Sequence, residues 1–217
     1  MDNVTCVRLV SRHFGWNRFS ILGHSLGGLI GSVYAAISPD QVEKLVMIDI
    51  VKPISVPSKN QPEKTAKALD SYESIIKKLQ QTPPSYSYET ARQRLVQANG
   101  GSIDELAADV LMKRGTKKNS DGSIYYSRDI RHVIPSFTGS TVDQQAEFAK
   151  RIRCPLLMIK ALNGPMYEGK AAQDEFLQIY RENNPAFEFA EVEGTHHVHL
   201  VRPENVAEKI GKFLTVG

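Results

Sequence analysis

The chain has 217 residues, 41% of them apolar, and its 27 Lys and Arg against 24 Asp and Glu leave a net charge of +3. That length supports one sizeable core with room for a smaller subdomain, and a near-balanced charge without a long basic block gives no electrostatic footprint for nucleic acid. The first residues, MDNVTCVRLVSRHFGW, carry Asp2 and then polar residues spread among the apolar ones, and no run of about eighteen apolar residues follows, so neither a secretion signal nor a membrane-spanning helix is expected and the cytoplasm is the expected compartment.

Val4, Val7, Val10 and Phe14 recur at helical spacing, which predicts a helix over 4–14 with Asp2 or Asn3 as its N-cap and Gly15 as its stop. FSIL (19–22) reads as a short buried strand, and 26–37 as a helix that ends before Pro39. KLVMIDIV (44–51) is a second short strand, rich in β-formers and bounded by charge and proline. The character then changes. Prolines at 53, 57, 62, 83 and 84 punctuate a segment with helical patches around 63–81, 88–98 and 103–114. PLLMIKAL (155–162) and FEFAEVEG (187–194) return to the strand pattern, followed by helices over 169–182 and 203–214, the latter with Pro203 near its first turn. Short apolar strands alternating with helices predict an α/β fold whose parallel sheet is covered on both faces. The core is expected from 1–52 and 151–217. The insertion over 53–150 has too much helical pattern for a loop and is expected to form a helical cap over one end of the sheet.

Within FSILGHSLGGLIGSVYAA (19–36), a strand pattern passes into a helix pattern through Gly23-His24-Ser25-Leu26-Gly27. A strand turning at once into a helix strains its turning residue and projects that side chain from the end of the sheet; glycines two positions to either side keep the neighbouring backbone clear. Ser25 is therefore the candidate nucleophile, and the N–H of Leu26, at the positive end of the helix, is the candidate oxyanion donor. A serine hydroxyl needs a base, and the base needs an orienting group. The order Ser, acid, His directs the search for the base to VEGTHHVHLVRPENV, after the last strand. His196 follows the short EGT loop and is the candidate base; His197 is its nearest competitor, and His199 reads as packing or binding water. Three histidines in four residues without a carboxylate or cysteine cluster do not form a metal set, so no metal and no cofactor are expected. For the acid, the loop IKALNGPMYEG offers Asn163 and Gly164 where an aspartate would be sought, leaving Asp49, at the end of the second strand, and Glu168 as the candidates.

These residues resemble the α/β-hydrolase superfamily, and more closely its serine hydrolase-like (kraken-type) subfamily. Beside RFSILGHSLGG and KLVMIDIV, the string LMKRGTKKNSDGSIYYSRDIRHVIPS is similar to an RGT…G…RD-x-R…PS element of that subfamily, and RCPLLMIKA and VEGTHHVHL extend the likeness over nearly the whole chain. The resemblance implies a serine hydrolase with Ser25 as nucleophile and His196 as base, in a set of intracellular enzymes with poorly defined substrates, some of them linked to peroxisomes or vesicles; with Asp49 favoured over Glu168 as the acid, the expected reaction is hydrolysis of an ester, thioester or amide of a small apolar acyl compound. It also implies about 70 residues, with four strands and a histidine-glycine loop, before the segment matching 1–14. The expected fold is thus an N-terminally truncated α/β-hydrolase with a parallel sheet remnant, strands 5-6-7-8, and an inserted cap. Turnover would be impaired for want of the second oxyanion donor, and the strand at 19–22 would be an exposed edge open to association. A non-catalytic binding fragment is the alternative. Epoxide and haloalkane hydrolysis, which use an aspartate at the elbow, are disfavoured by Ser25.

Two features stand outside that reading. Cys6 and Cys154 belong to no C-x-x-C pair and read as buried or half-buried free thiols. Lys113, Arg114, Lys117, Lys118, Arg128 and Arg131 form a basic cluster that is either a solvated surface or an attractor for an anionic substrate such as an acyl-CoA.

Overall fold

The computed structural model describes residues 2–133 and 139–215. Met1, the Pro135-Ser136 end of the subfamily string, Val216 and Gly217 lie outside them. In chain order the elements are α1 (Asp2–His13), β1 (Phe19–His24), α2 (Leu26–Ile37), β2 (Val42–Ile48), α3 (Gln61–Leu79), α4 (Tyr88–Ala98), α5 (Glu105–Gly115), β3 (Thr116–Lys118), β4 (Ile124–Tyr126), α6 (Val142–Ala149), β5 (Leu156–Asn163), α7 (Gly169–Asn183), β6 (Phe187–Thr195), α8 (Val198–Val201) and α9 (Glu204–Thr215). Two compact units result, Met1–Ser55 with Ser140–Gly217, and Val56–Gly139.

The first unit contains a four-stranded parallel sheet in the order β1-β2-β5-β6. Successive side chains of a strand point to opposite faces, and the two core clusters divide along that alternation. Leu45, Met47, Leu156 and Met158 pack on one face with Tyr34, Phe176, Leu177 and Tyr180. Val46, Ile48, Leu157 and Ile159 pack on the other with Val192, Val206 and Phe213. Strands buried on both faces explain why β2 and β5 read as continuous apolar runs. β1 is the outer strand of the described sheet, and its Leu22 is 49% exposed.

Three expectations need correction here. The helix α1 already begins at Asp2, so Asp2 and Asn3 lie within it rather than before it. Cys6 is exposed on that helix, whereas Cys154 is buried, and burial pushes its thiol up to about 11. The helical insertion expected to run to 150 ends as a compact unit at Gly139. The reason is α6, whose Ala146 and Ala149 join the sheet's core cluster, and which starts at a Thr141–Gln144 capping box.

The second unit holds α3, α4, α5 and the antiparallel pair β3–β4. Ser87 and Asp104 cap α4 and α5 by accepting from the N–H groups of Thr90 and Ala107. The β3–β4 hairpin, turning at Gly122 with φ +87°, falls where the sequence pattern predicts no strand. Its Ile124 packs with Ala91 and Met112 in a small core.

Candidate active site

Strands β1 and β2 end at one level, and the residue after each, together with the residue beside them within β5, supplies a polar group. β1 and β2 align His24 with Ile48, and β2 and β5 align Ile48 with Ile159. Ser25, Asp49 and Lys160 follow in register; the N–H of Ser25 donates to Ile48 O at 2.9 Å and that of Asp49 to Ile159 O at 2.7 Å. Ser25 has φ 50° and ψ −117°, and Asp49 also has φ 50°. No other non-glycine residue among those described has positive φ. Such a backbone costs an L-residue on the order of 1–3 kcal/mol and persists only where its surroundings hold it.

The elbow glycines do unequal things. A Cβ on Gly23 would lie 2.3 Å from the carbonyl carbon of Gly27, and one on Gly28 would lie 2.7 Å from Ile50 Cγ2. One on Gly27 would meet nothing within 4 Å. The steric requirement expected of Gly23 and Gly27 therefore falls on Gly23 and Gly28. Gly28 is on the buried side of the first turn of α2, and Gly27 is partly exposed.

His196 follows β6 across Gly194, whose φ of +141° and closeness to Val198 Cγ2, 2.6 Å from a built Cβ, admit no side chain. Its Nε2 is 3.0 Å from Ser25 Oγ, and its Nδ1 is 2.6 Å from Asp49 Oδ2. With Nδ1–H donating to the carboxylate, Nε2 is free to accept from the serine hydroxyl. The geometry thus brings together Ser25, His196 and Asp49, and sets Leu26 N–H at the start of α2, where backbone N–H groups lack intrahelical acceptors.

Three further histidines, His24, His197 and His199, gather around this chain of bonds. The backbone carbonyl of His196 accepts from His24 Nε2–H at 2.7 Å, and the His24 ring lies 4.5 Å from that of His196 and 4.2 Å from that of His199. Burial, with the neighbouring rings adding to it, pushes His24 and His197 down to about 4 and lowers His199 as well. Neutral rings at neutral pH follow from this. His199 Nδ1 is buried with no hydrogen-bond partner among the described residues, and its ring packs against that of His24.

Asp49 is fully enclosed. Its Oδ1 accepts from Lys160 Nζ at 2.5 Å and from Ala161 N–H at 3.0 Å. Burial pushes the carboxyl up; the hydrogen bonds from His196 and Lys160, the lysine's charge and the Ala161 N–H outweigh it and hold the group below the usual carboxylate range. A Cβ on Gly164 would lie 2.2 Å from Asp49 Oδ2. The loop searched for an acid is therefore the loop that leaves room for one: Gly164 vacates the space that the Asp49 carboxylate fills from the neighbouring strand. Glu168 is engaged elsewhere, paired with Lys52 and accepting from Ser55 N–H at 3.1 Å. Asp49, Lys160, Lys52, Glu168, Tyr167 and Gln173 line a cavity of about 40 Å³.

Sequence reasoning missed Lys160, His24 and Gly164. Their signals were a lone lysine inside LLMIKAL, a histidine beside the elbow serine, and a glycine where an acid was sought. The basic cluster lies on the second unit as exposed side chains, with Arg131 paired to Asp129 at 2.5 Å.

The profile of the alpha/beta hydrolase fold family matches residues 4–203. A protein of Drosophila melanogaster named "Probable serine hydrolase" is 35% identical over 214 residues, covering 98% of this chain and 65% of that relative. "Serine hydrolase-like protein 2" of Homo sapiens is 29% identical over 223 residues, covering 97% of this chain and 69% of the relative. The chain spans 65% of the length of both the Drosophila and the Danio rerio relatives. Among solved structures, a hypothetical protein of Pseudomonas aeruginosa superposes with a TM-score of 0.82 at 27% identity, over 98% of this chain and 72% of that one. The thioesterase domain from the curacin biosynthetic pathway shares the fold at a TM-score of 0.68 and 18% identity, over 98% and 72%. The chain belongs to the alpha/beta hydrolase fold family.

Proposed function

We propose that the protein is a serine hydrolase that cleaves an ester or thioester of a small apolar acyl compound. The observation behind this reading is the continuous Ser25–His196–Asp49 hydrogen-bond chain, ending on a serine held at φ 50°. In the first step Ser25 Oγ attacks the acyl carbon, and His196 Nε2 takes the hydroxyl proton and returns it to the leaving group. Asp49 keeps Nδ1–H in place and stabilises the imidazolium. Leu26 N–H is the one oxyanion donor this reading names. In the second step His196 activates a water that hydrolyses the acyl-enzyme. The names of the Drosophila and human relatives support a serine-dependent reaction.

A second reading is a non-catalytic binding module. What favours it is the place of Ser25 at the end of the outer strand of the described sheet, beside the exposed Leu22. Labelling the folded protein with a fluorophosphonate probe decides between them. The hydrolase reading expects labelling that S25A abolishes and H196A lowers by about a thousandfold or more. A folded wild-type protein with no Ser25-dependent labelling would leave the binding module.

A further inference from the structure

Lys160 lies in β5, within a run whose residues from 156 to 161 are all buried, and its side chain is 5% exposed. An ammonium so enclosed is costly unless paired. Its partners are Asp49 Oδ1, at 2.5 Å, and Ala161 O, at 3.2 Å. The carboxylate is thereby divided, with Oδ1 given to the lysine and Ala161 N–H and Oδ2 given to His196. The register makes this a property of the sheet, since Lys160 follows Ile159 just as Asp49 follows its partner Ile48.

We propose that Lys160 is a positioning residue of the triad: it fixes the Asp49 carboxylate and, as the cation paired with it, keeps the Asp49–His196 pair free of an extra proton at mildly acidic pH. This rests on the hydrolase reading for its catalytic consequence, though not for its electrostatics. Charged and titratable groups face the pair from several elements. Lys160 comes from β5, Lys52 and Glu168 line the adjoining cavity and neutralise each other, and His24, His197 and His199 stand round the imidazole as neutral rings. Lys160 is thus the lysine paired directly with the Asp49 carboxylate. Without it, a buried carboxylate loses one of its three hydrogen-bond donors and its adjacent positive charge, and both losses favour proton uptake. A proton on either member of the pair disables the relay, through a blocked Nε2 or a broken Nδ1–H bond.

The test compares fluorophosphonate labelling rates of wild type, K160M and K160R from pH 5 to pH 9, with circular dichroism as the control for folding. In K160M the acid limb moves to higher pH by about one unit or more. K160R restores the wild-type midpoint, because the charge is kept and the cavity of about 40 Å³ beside Lys160 takes the extra atoms. A K160M protein with lower amplitude but an unmoved midpoint overturns the proposal, as does a K160R midpoint that follows K160M. If K160M does not fold, K160Q replaces it under the same criterion. The Nδ1 proton resonance of His196, followed by NMR across the same pH range, reads the pair without turnover. If wild type shows no Ser25-dependent labelling, the hydrolase reading fails on its own, and an NMR midpoint unchanged between wild type and K160M or K160Q would refute the role of Lys160.

Discussion

The two compact units are stabilised in different ways. The sheet unit buries strands on both faces, with Leu45, Leu156, Met158 and Ile159 at 0% exposure, and holds its polar groups at the rim where those strands stop. The 56–139 unit rests on capped helices, a three-residue buried cluster and exposed ion pairs such as that of Arg92 with Glu89. The charge divides between them too: residues 56–139 contain thirteen Lys and Arg against nine Asp and Glu, the remainder fourteen against fifteen. A close-packed scaffold can hold reacting groups to within a fraction of an ångström, whereas a thinly packed, charged helical unit can vary at little cost.

Two glycine substitutions should expose that contrast most strongly. At position 164 an added Cβ would lie 2.2 Å from Asp49 Oδ2, whereas at position 115 it would meet nothing within 4 Å. Displacing the carboxylate by about 1 Å is enough to cost on the order of a hundredfold in rate. G164A should therefore lower probe labelling about a hundredfold or more, and G115A should leave it unchanged. A G164A protein labelling at the wild-type rate would mean that the rim is not rigid.

Core truncations come next in size. Leu156 is wholly buried between strands and helices, and L156A should cost about 4 kcal/mol because the surrounding sheet cannot collapse into the void. Met112 belongs to a cluster of three buried residues with Ala91 and Ile124, against which Tyr86, Leu95 and Tyr126 pack, and M112A should cost about 2 kcal/mol. Urea titrations of both variants measure the difference; equal costs would mean that the second unit is packed as tightly as the first.

The same contrast governs how much of the molecule is legible in its amino-acid sequence. Short apolar runs between helical patterns make the strands legible, and Gly23 and Gly28 mark the elbow because local sterics demand them. The helical patches over 63–81 and 88–98 are legible by period, but the β3–β4 hairpin is not, since three-residue strands leave too short a pattern. The place of α6 in the sheet unit escapes a sequence reading because nothing local says which core an amphipathic helix joins. Asp49 can be proposed from its place after an apolar strand. Its bond to Lys160 cannot, because that contact depends on the register of β2 against β5 across 111 residues of chain. Gly164 is misleading alone, and makes sense only beside the carboxylate whose space it leaves open.

The smallest effect expected is an acid sensitivity confined to the sheet unit. His24 and His197 are held down to about 4 by burial, below the ordinary value of 6.5. A base whose folded pKa is depressed contributes stability that is complete above its unfolded pKa and is lost as pH falls towards the folded one. The window is therefore pH 6.5 down to about 4, and both residues belong to the sheet unit; between 56 and 139 the sequence has a single histidine, His132. Both rings are part exposed, so solvent screening keeps the effect modest. Trp16, the chain's single tryptophan, reports on the sheet unit alone. Its fluorescence melting temperature should fall by a few degrees between pH 7.5 and pH 5. H24Q removes one of the two depressed bases while keeping a side-chain N–H for the His196 carbonyl, so its melting temperature should fall less over the same range. An H24Q protein as acid-sensitive as wild type would move the origin of the effect to the carboxylates.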